Sequence, residues 1–173
     1  MIKNIKRFSK NTNLYLRNLR YTFYLKFKNS SKEIVDMALF NKKYLGRENI
    51  LTEIMNNLGS DKGNQHNYTD FYHFLFNKIR DQKLNIFEVG LGSVKLDFSD
   101  NMSKFENYSP LCSLRGWRKY FLNSEIFGAD IDQSILNDED RIKTFYVDML
   151  KKETIKTMWK KIQKNMDIII DDG

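Results

Sequence analysis

The chain has 173 residues, 41% hydrophobic and 14% aromatic, which suits one domain with a sizeable core and excludes disordered chains and disulfide-stapled mini-proteins. No window approaches the ~18 consecutive apolar residues of a spanning helix. The lone Cys112 cannot close an intrachain bridge, and no signal-peptide pattern opens the sequence, so a reducing, cytoplasmic setting is expected. The net charge of +7 is uneven: nine basic and no acidic residues precede Glu33, leaving 20 basic against 22 acidic afterwards.

Residues 1–32 therefore read as a basic, aromatic arm on a nearly neutral body. Tyr21, Phe23, Leu25 and Phe27 alternate as in a strand, while Leu16, Leu19 and Phe23 share a helical face, so periodicity leaves its conformation open. A solvated leader ranks first for the arm. A peripheral contact with an anionic inner-membrane face comes next, and a nucleic-acid contact last.

Residues 33–83 read as an N-terminal helical cover. Helical spacing occurs at Ile34, Val35, Ala38, Leu39 and again at Ile50, Leu51, Ile54, Met55, Leu58, stopping at Gly59. Ser60 to Tyr68 is a polar loop. Thr69 is expected to cap a helix whose apolar face is Tyr72, Leu75, Phe76 and Ile79, with His73 off that face and solvated. Neither histidine has a partner at metal-ligand spacing, which argues against zinc.

Residues 84–173 alternate short apolar runs with amphipathic stretches, the pattern of a parallel sheet covered on both faces. Strands are expected at Leu84 to Val89, Glu125 to Ile131, Ile142 to Val147 and Met166 to Ile170, with helices at Ser113 to Phe121 and Glu153 to Ile162. The fold class is α/β, Rossmann-like, a partial parallel sheet of order 3-2-1-4.

Ligands of such sheets sit beyond the carboxyl ends of the strands. Acids cluster there: Glu88 precedes Gly90 and Gly92, Asp130 and Asp132 close strand two, Asp148 closes strand three, and Asp171 and Asp172 close strand four. A dinucleotide fingerprint fails, since Lys95 stands where its third glycine belongs and Asp130 comes 40 residues after Gly90. S-adenosylmethionine (SAM) fits better. It lacks a pyrophosphate, offers ribose hydroxyls and an adenine amine to carboxylates, and carries a sulfonium that negative surroundings favour.

Five segments in order carry a family resemblance: Gly59-Ser60-Asp61-Lys62-Gly63 with His66 and Tyr68; Phe87-Glu88-Val89-Gly90-Leu91-Gly92; Ser113 to Phe121; Ile126 to Asp132; and Ile170-Asp171-Asp172-Gly173. The chain resembles class I SAM-dependent methyltransferases, in the branch of macrocin- and mycinamicin-type sugar O-methyltransferases that act on antibiotic and surface-polysaccharide sugars. The resemblance implies that Glu88, Gly90 and Gly92 shape the SAM pocket, that Asp130 binds the ribose and that Asp148 faces the adenine. It also implies that Lys62, His66 and Tyr68 close over the cofactor. Leu111-Cys112 stands where relatives have a small Gly-Ala pair, and its bulk is expected to crowd the methionine end of SAM.

By the same resemblance Asp172 matches a ligand of a divalent metal such as Mg²⁺, and a Ser-His would follow Gly173, where the sequence ends. The expectation is a family site truncated after strand four, with Asp171 as the remaining substitute base and a sugar as acceptor. Such a chain is expected to be incomplete as an enzyme alone. The alternative reading is a non-catalytic assembly module, a homo-oligomer, or half of a split enzyme completed by a C-terminal chain at the strand-four edge.

Overall fold

The computed structural model describes residues 37–95, 102 and 108–172. The arm at 1–32, the apolar positions Ile34 and Val35, and Gly173 lie outside the described residues. The chain divides into two units, Met1–Ala38 and Leu39–Gly173, and all four strands and every helix from Ile50 onward belong to the second.

The elements, in order, are α1 (Met37–Lys43), α2 (Ile50–Asn57), α3 (Tyr68–Phe76), β1 (Asn85–Val89), α4 (Cys112–Tyr120), β2 (Glu125–Asp130), a 3₁₀ turn (Gln133–Ile135), β3 (Ile142–Tyr146), α5 (Lys152–Ile162) and β4 (Ile168–Asp171). The four strands form one parallel sheet of order β3-β2-β1-β4, as the alternating pattern predicts. In the central pair Glu88 lies opposite Gly128, and across the other edge of β1 Phe87 lies opposite Ile169.

Strand side chains alternate faces, and this sheet uses both. Ile86, Ile126, Ile142, Ile168 and Ile170 pack on one side against Leu51 and Met55 of α2, Phe76 of α3 and Leu114, Trp117 and Tyr120 of α4. Phe87, Phe127, Ala129 and Val147 pack on the other against Met158 and Ile162 of α5. Double coverage is why the strands read as continuous apolar runs rather than as alternating ones. Ile169, on the side α5 covers elsewhere, is 63% exposed.

Sequence cues locate some helix ends correctly and others not. The Asn49 carboxamide accepts from Thr52 N at 2.9 Å to cap α2, and Gly59 follows its end at φ +76°, a left-handed conformation that favours glycine. Thr69, expected as a cap, is fully buried inside α3, with its hydroxyl 2.6 Å from that of Thr52. The helix instead opens after Asn67 in the left-handed region at φ 57°. His73 is not solvated: its Nδ1 lies 2.9 Å from the Tyr120 hydroxyl, and burial, aided by the nearby Arg80, lowers its pKa. The single-helix face could not anticipate this because α4 supplies the partner. In α1 the buried residue is Phe40, edge-on to Phe71 at 5.5 Å, whereas Ala38 and Leu39 are exposed.

The Asp132 carboxylate fixes the turn after β1. It accepts from Ser93 Oγ at 2.5 Å, Lys95 Nζ at 2.7 Å and the Ser134 amide and hydroxyl at 3.0 and 2.6 Å. Burial opposes ionisation, but these donors together hold Asp132 well below the usual carboxylate range. Lys95, which breaks the dinucleotide fingerprint, thus anchors this turn. On β2, Gly128 leaves room for α4: a Cβ there would stand 2.5 Å from Leu114 Cδ1 and 3.1 Å from the Leu91 methyls.

Gly128→Ala should cost about 1–3 kcal/mol in urea unfolding through overpacking, and Leu114→Ala in the same chain should recover part of that loss. Because the folded pKa of Asp132 is depressed, its contribution is present above its unfolded pKa of about 4 and is lost as pH falls below it. Acid unfolding read by circular dichroism should therefore be less steep in Asp132→Asn, with Glu139, held low by Arg115 and Arg118, supplying part of the remaining dependence.

Candidate active site

A cleft of about 380 Å³ opens at the carboxyl ends of β1, β2 and β4, within the usual range of small-molecule sites. Its floor is the turn after β1. Gly90 and Gly92 have φ +84° and +74°, and a Cβ on Gly92 would fall 2.1 Å from the Tyr108 hydroxyl. That hydroxyl donates to the carbonyls of Leu91 and Gly92 at 2.9 and 3.1 Å, which brings Tyr108 against the turn. Glycine at position 92 serves both the turn and this close approach.

The Asp61–His66 turn forms a second wall. It is pinned to α2 through Asn64 N donating to Asn56 Oδ1 at 3.0 Å, and it closes on itself through Asn67 N to Gly63 O at 2.7 Å. His66 and Tyr68 stack with ring centroids 5.2 Å apart, both lining the cleft and both largely exposed. His66 Nε2 lies 3.4 Å from Asp61 Oδ2.

Lys62 reaches from this turn into the protein. Its Nζ lies 2.9 Å from Glu88 Oε1 and 2.5 Å from Asp172 Oδ2, with the Lys62 side chain 4% and the Glu88 side chain 0% exposed. Glu88 Oε2 accepts from Trp117 Nε1 at 2.7 Å. Burial by itself would lower the pKa of Lys62, but the charges of Glu88 and Asp172 outweigh it and hold the ammonium above the ordinary lysine value. An ion pair of this kind is the usual condition for keeping a charge in a protein interior.

The residues expected from sequence are thus partly united. Lys62, His66, Tyr68, Gly90, Gly92, Asp130 and Asp172 line one cleft. Glu88 lies behind Lys62 rather than on the surface of the cleft. The Asp130 carboxylate accepts from the amides of Leu91 and Asp132, both at 2.7 Å, which aims it at the turn. Asp148 is not among the lining residues: it accepts from Leu150 N at 3.0 Å and pairs with Lys151 at 2.8 Å, bracing the turn into α5. Asp171 is exposed at the end of β4.

The bulk expected of Leu111-Cys112 is split by the fold. Leu111 adopts φ 66° and turns into the core at 1% exposure, while Cys112 lines the cleft. Burial pushes the Cys112 thiol up to about 11, which leaves it an unreactive wall. Sequence reasoning missed Tyr108 and Ser93. Ser93 sits beside a recognisable turn, whereas Tyr108 falls in a polar stretch without periodicity and carries no signal.

No protein-family model matches the chain. Among characterised proteins it is 30% identical over 115 residues to an 8-demethyl-8-alpha-L-rhamnosyl tetracenomycin-C 2'-O-methyltransferase of Streptomyces olivaceus, a match covering 66% of this chain and 28% of that protein. It is 30% identical over 108 residues to a mycinamicin VI 2''-O-methyltransferase of Micromonospora griseorubida, covering 62% of this chain and 24% of that one. The chain therefore spans about a quarter of the length of these curated relatives. Among solved structures, MycE methyltransferase from the mycinamycin biosynthetic pathway, in complex with Mg and SAH, superposes with TM-score 0.57 at 30% identity over 73% of this chain and 32% of that one. A second MycE structure, also holding mycinamycin VI, gives the same TM-score at 22% identity and supports the fold alone. Motifs, sheet order and superposition agree: the chain carries part of the Rossmann-like fold of class I SAM-dependent methyltransferases and is similar in sequence to sugar O-methyltransferases of the mycinamicin type.

Proposed function

We propose that the chain binds SAM in this cleft and supplies the cofactor half of O-methyl transfer to a sugar of a surface polysaccharide or secondary metabolite. The observation that carries the reading is the charge of the cleft. In a chain of net charge +7, the described lining contains Asp61, Asp130 and Asp172 against Lys62 alone among the lysines and arginines. Such a lining suits a cationic ligand and disfavours a phosphate-rich one.

SAM fits the cleft on chemical grounds and would supply an electrophilic methyl group on its sulfonium. Asp130 holds the ribose: each of its oxygens accepts one backbone amide and retains a lone pair for a hydroxyl. The turn at Gly90 and Gly92 lets main chain approach the ligand, and the stacked His66 and Tyr68 border its other side. A divalent metal does not fit the described residues. Among them no group of three or more His, Cys, Asp or Glu is placed to hold one, and Asp172 is already paired with Lys62.

Titration calorimetry of the full chain should detect SAM or S-adenosylhomocysteine, with binding lost in Asp130→Ala and weakened about tenfold or more in Gly92→Ala, where the added Cβ displaces Tyr108. Absence of binding at millimolar ligand would sink the reading. Methyl transfer is a separate question. The chain alone is expected to give no turnover of radiolabelled SAM on nucleotide sugars or capsule oligosaccharides, since Asp171, as a carboxylate, is a weak base toward a sugar hydroxyl and a well-placed base is worth about 10²–10⁴ in rate.

One observation favours a second reading, assembly through the β4 edge. Ile169 is 63% exposed, and among the described strands β4 pairs with β1 alone. If this edge joins a second copy or a complementing chain, Ile169→Lys should lower the mass seen by analytical ultracentrifugation without altering cofactor affinity. An unchanged mass distribution would dispose of it.

A further inference from the structure

We propose that the Lys62 ammonium is the resident cation of the carboxylate pair formed by Glu88 and Asp172, and that it keeps a divalent metal ion off Asp172 in this chain. Cation occupancy alone is at issue, and it does not depend on the cofactor reading.

Nζ of Lys62 sits 2.5 Å from Asp172 Oδ2 and 2.9 Å from Glu88 Oε1. Glu88 lies on β1 and Asp172 just past the end of the neighbouring β4, and the lysine comes from a turn 110 residues away from Asp172. An ammonium has three N–H donors, and this one directs its charge between the fully buried Glu88 and Asp172, whose side chain is 32% exposed to the cleft. A small divalent cation needs carboxylate oxygens at about 2.0–2.1 Å. At that distance from Asp172 Oδ2 it would share the oxygen with an ammonium at 2.5 Å, and the two cations repel each other. A metal held jointly by Asp172 and Glu88 can arrive only after Lys62 leaves. Departure would strip Glu88 of its only counter-ion among the described residues, and a buried carboxylate so exposed is costly. It would also pull on the Asp61–His66 turn, which Asn56 holds to α2.

Truncating the lysine should therefore create a metal site. Lys62→Met keeps an apolar stem of similar length and removes the charge, leaving two carboxylates within reach of one small cation. The full chain is titrated with Mn²⁺ and free Mn²⁺ is read by electron paramagnetic resonance. Wild type and Lys62→Arg should show no saturable binding in the millimolar range. Lys62→Met should bind Mn²⁺ about tenfold tighter or better, and Lys62→Met combined with Asp172→Asn should lose that gain. Wild type binding Mn²⁺ as tightly as folded Lys62→Met, a folded Lys62→Met without any gain, or a gain that survives Asp172→Asn would each overturn the proposal.

Lys62→Met leaves two carboxylates without a counter-ion and risks unfolding, so the wild-type chain supplies a second readout. The ¹⁵Nζ resonance of Lys62 should report a protected ammonium, shift in Asp172→Asn and stay fixed under millimolar Mg²⁺. A saturable Mg²⁺-dependent shift of that resonance would equally overturn the proposal.

Discussion

Everything around the cleft depends on one buried charge, the carboxylate of Glu88. It lies on the central strand with no exposure, between the Lys62 ammonium and the Trp117 indole N–H. Through those two partners a single side chain ties β1 to the Asp61–His66 turn and to α4, and through Lys62 it reaches the end of β4. Losing one partner of a buried pair costs about 3–5 kcal/mol, more than the whole pair gains over an apolar substitute. The arrangement is thus a poor way to add stability and an effective way to fix relative position. What it positions is the wall of the cleft.

The distribution of charge obeys the same logic. Along the sequence the excess of basic residues falls in the first 32 positions, whereas the acids at the strand ends fall after residue 87. Even there the acids differ in use. Asp132 is fully committed to Ser93, Ser134 and Lys95, and it maintains the shape of the turn. Asp148 is committed to the start of α5. Asp130 alone combines a place on the cleft surface with hydrogen bonds from two backbone amides, which orient it and leave acceptor capacity. Strand-end acids of similar appearance in the sequence therefore divide, by their partners, into those that brace turns and those that reach the cleft surface.

Those partners mark the boundary of what is legible in the sequence. Strand order, the two covered faces and the glycine turn are legible because they rest on local periodicity and on backbone conformations that few residues adopt. The cleft membership of Lys62, His66, Tyr68 and Asp130 comes from ordered motifs. The roles of Thr69 and His73 escape a local reading because each is decided by another helix, Thr52 in one case and Tyr120 in the other. The Lys62–Asp172 contact joins residues 110 positions apart, and nothing in either local pattern announces it. Leu111 is expected at the cleft, but a left-handed backbone at φ 66° turns it into the core, a conformation rare for a branched residue and invisible to spacing.

The cleft is built where the sheet is covered on both faces, and the outer side of β4 is covered less evenly. The described residues that line the cleft come from the turn after β1, the segment holding Met102 and Tyr108 with the start of α4, the end of β2, the turn before α3 with its first residue Tyr68, and Asp172 just past β4. The packing that supports these, Leu51, Met55, Leu114 and Trp117 on one face and Phe87 and Phe127 on the other, is complete within the described residues. The contacts of β4 are lopsided: Ile168 and Ile170 are buried and Ile169 is exposed. Asp171 and Asp172, at its end, are held on one side by β1 and, for Asp172, by Lys62. The proposed cofactor binding would draw on the first set of contacts, which hold a rigid turn and fixed carboxylates. Orienting a second reactant would need fixed contacts of its own, and the groups held rigidly among the described residues, the turn after β1, Asp130 and the Lys62–Glu88 pair, all lie on the covered side of the cleft.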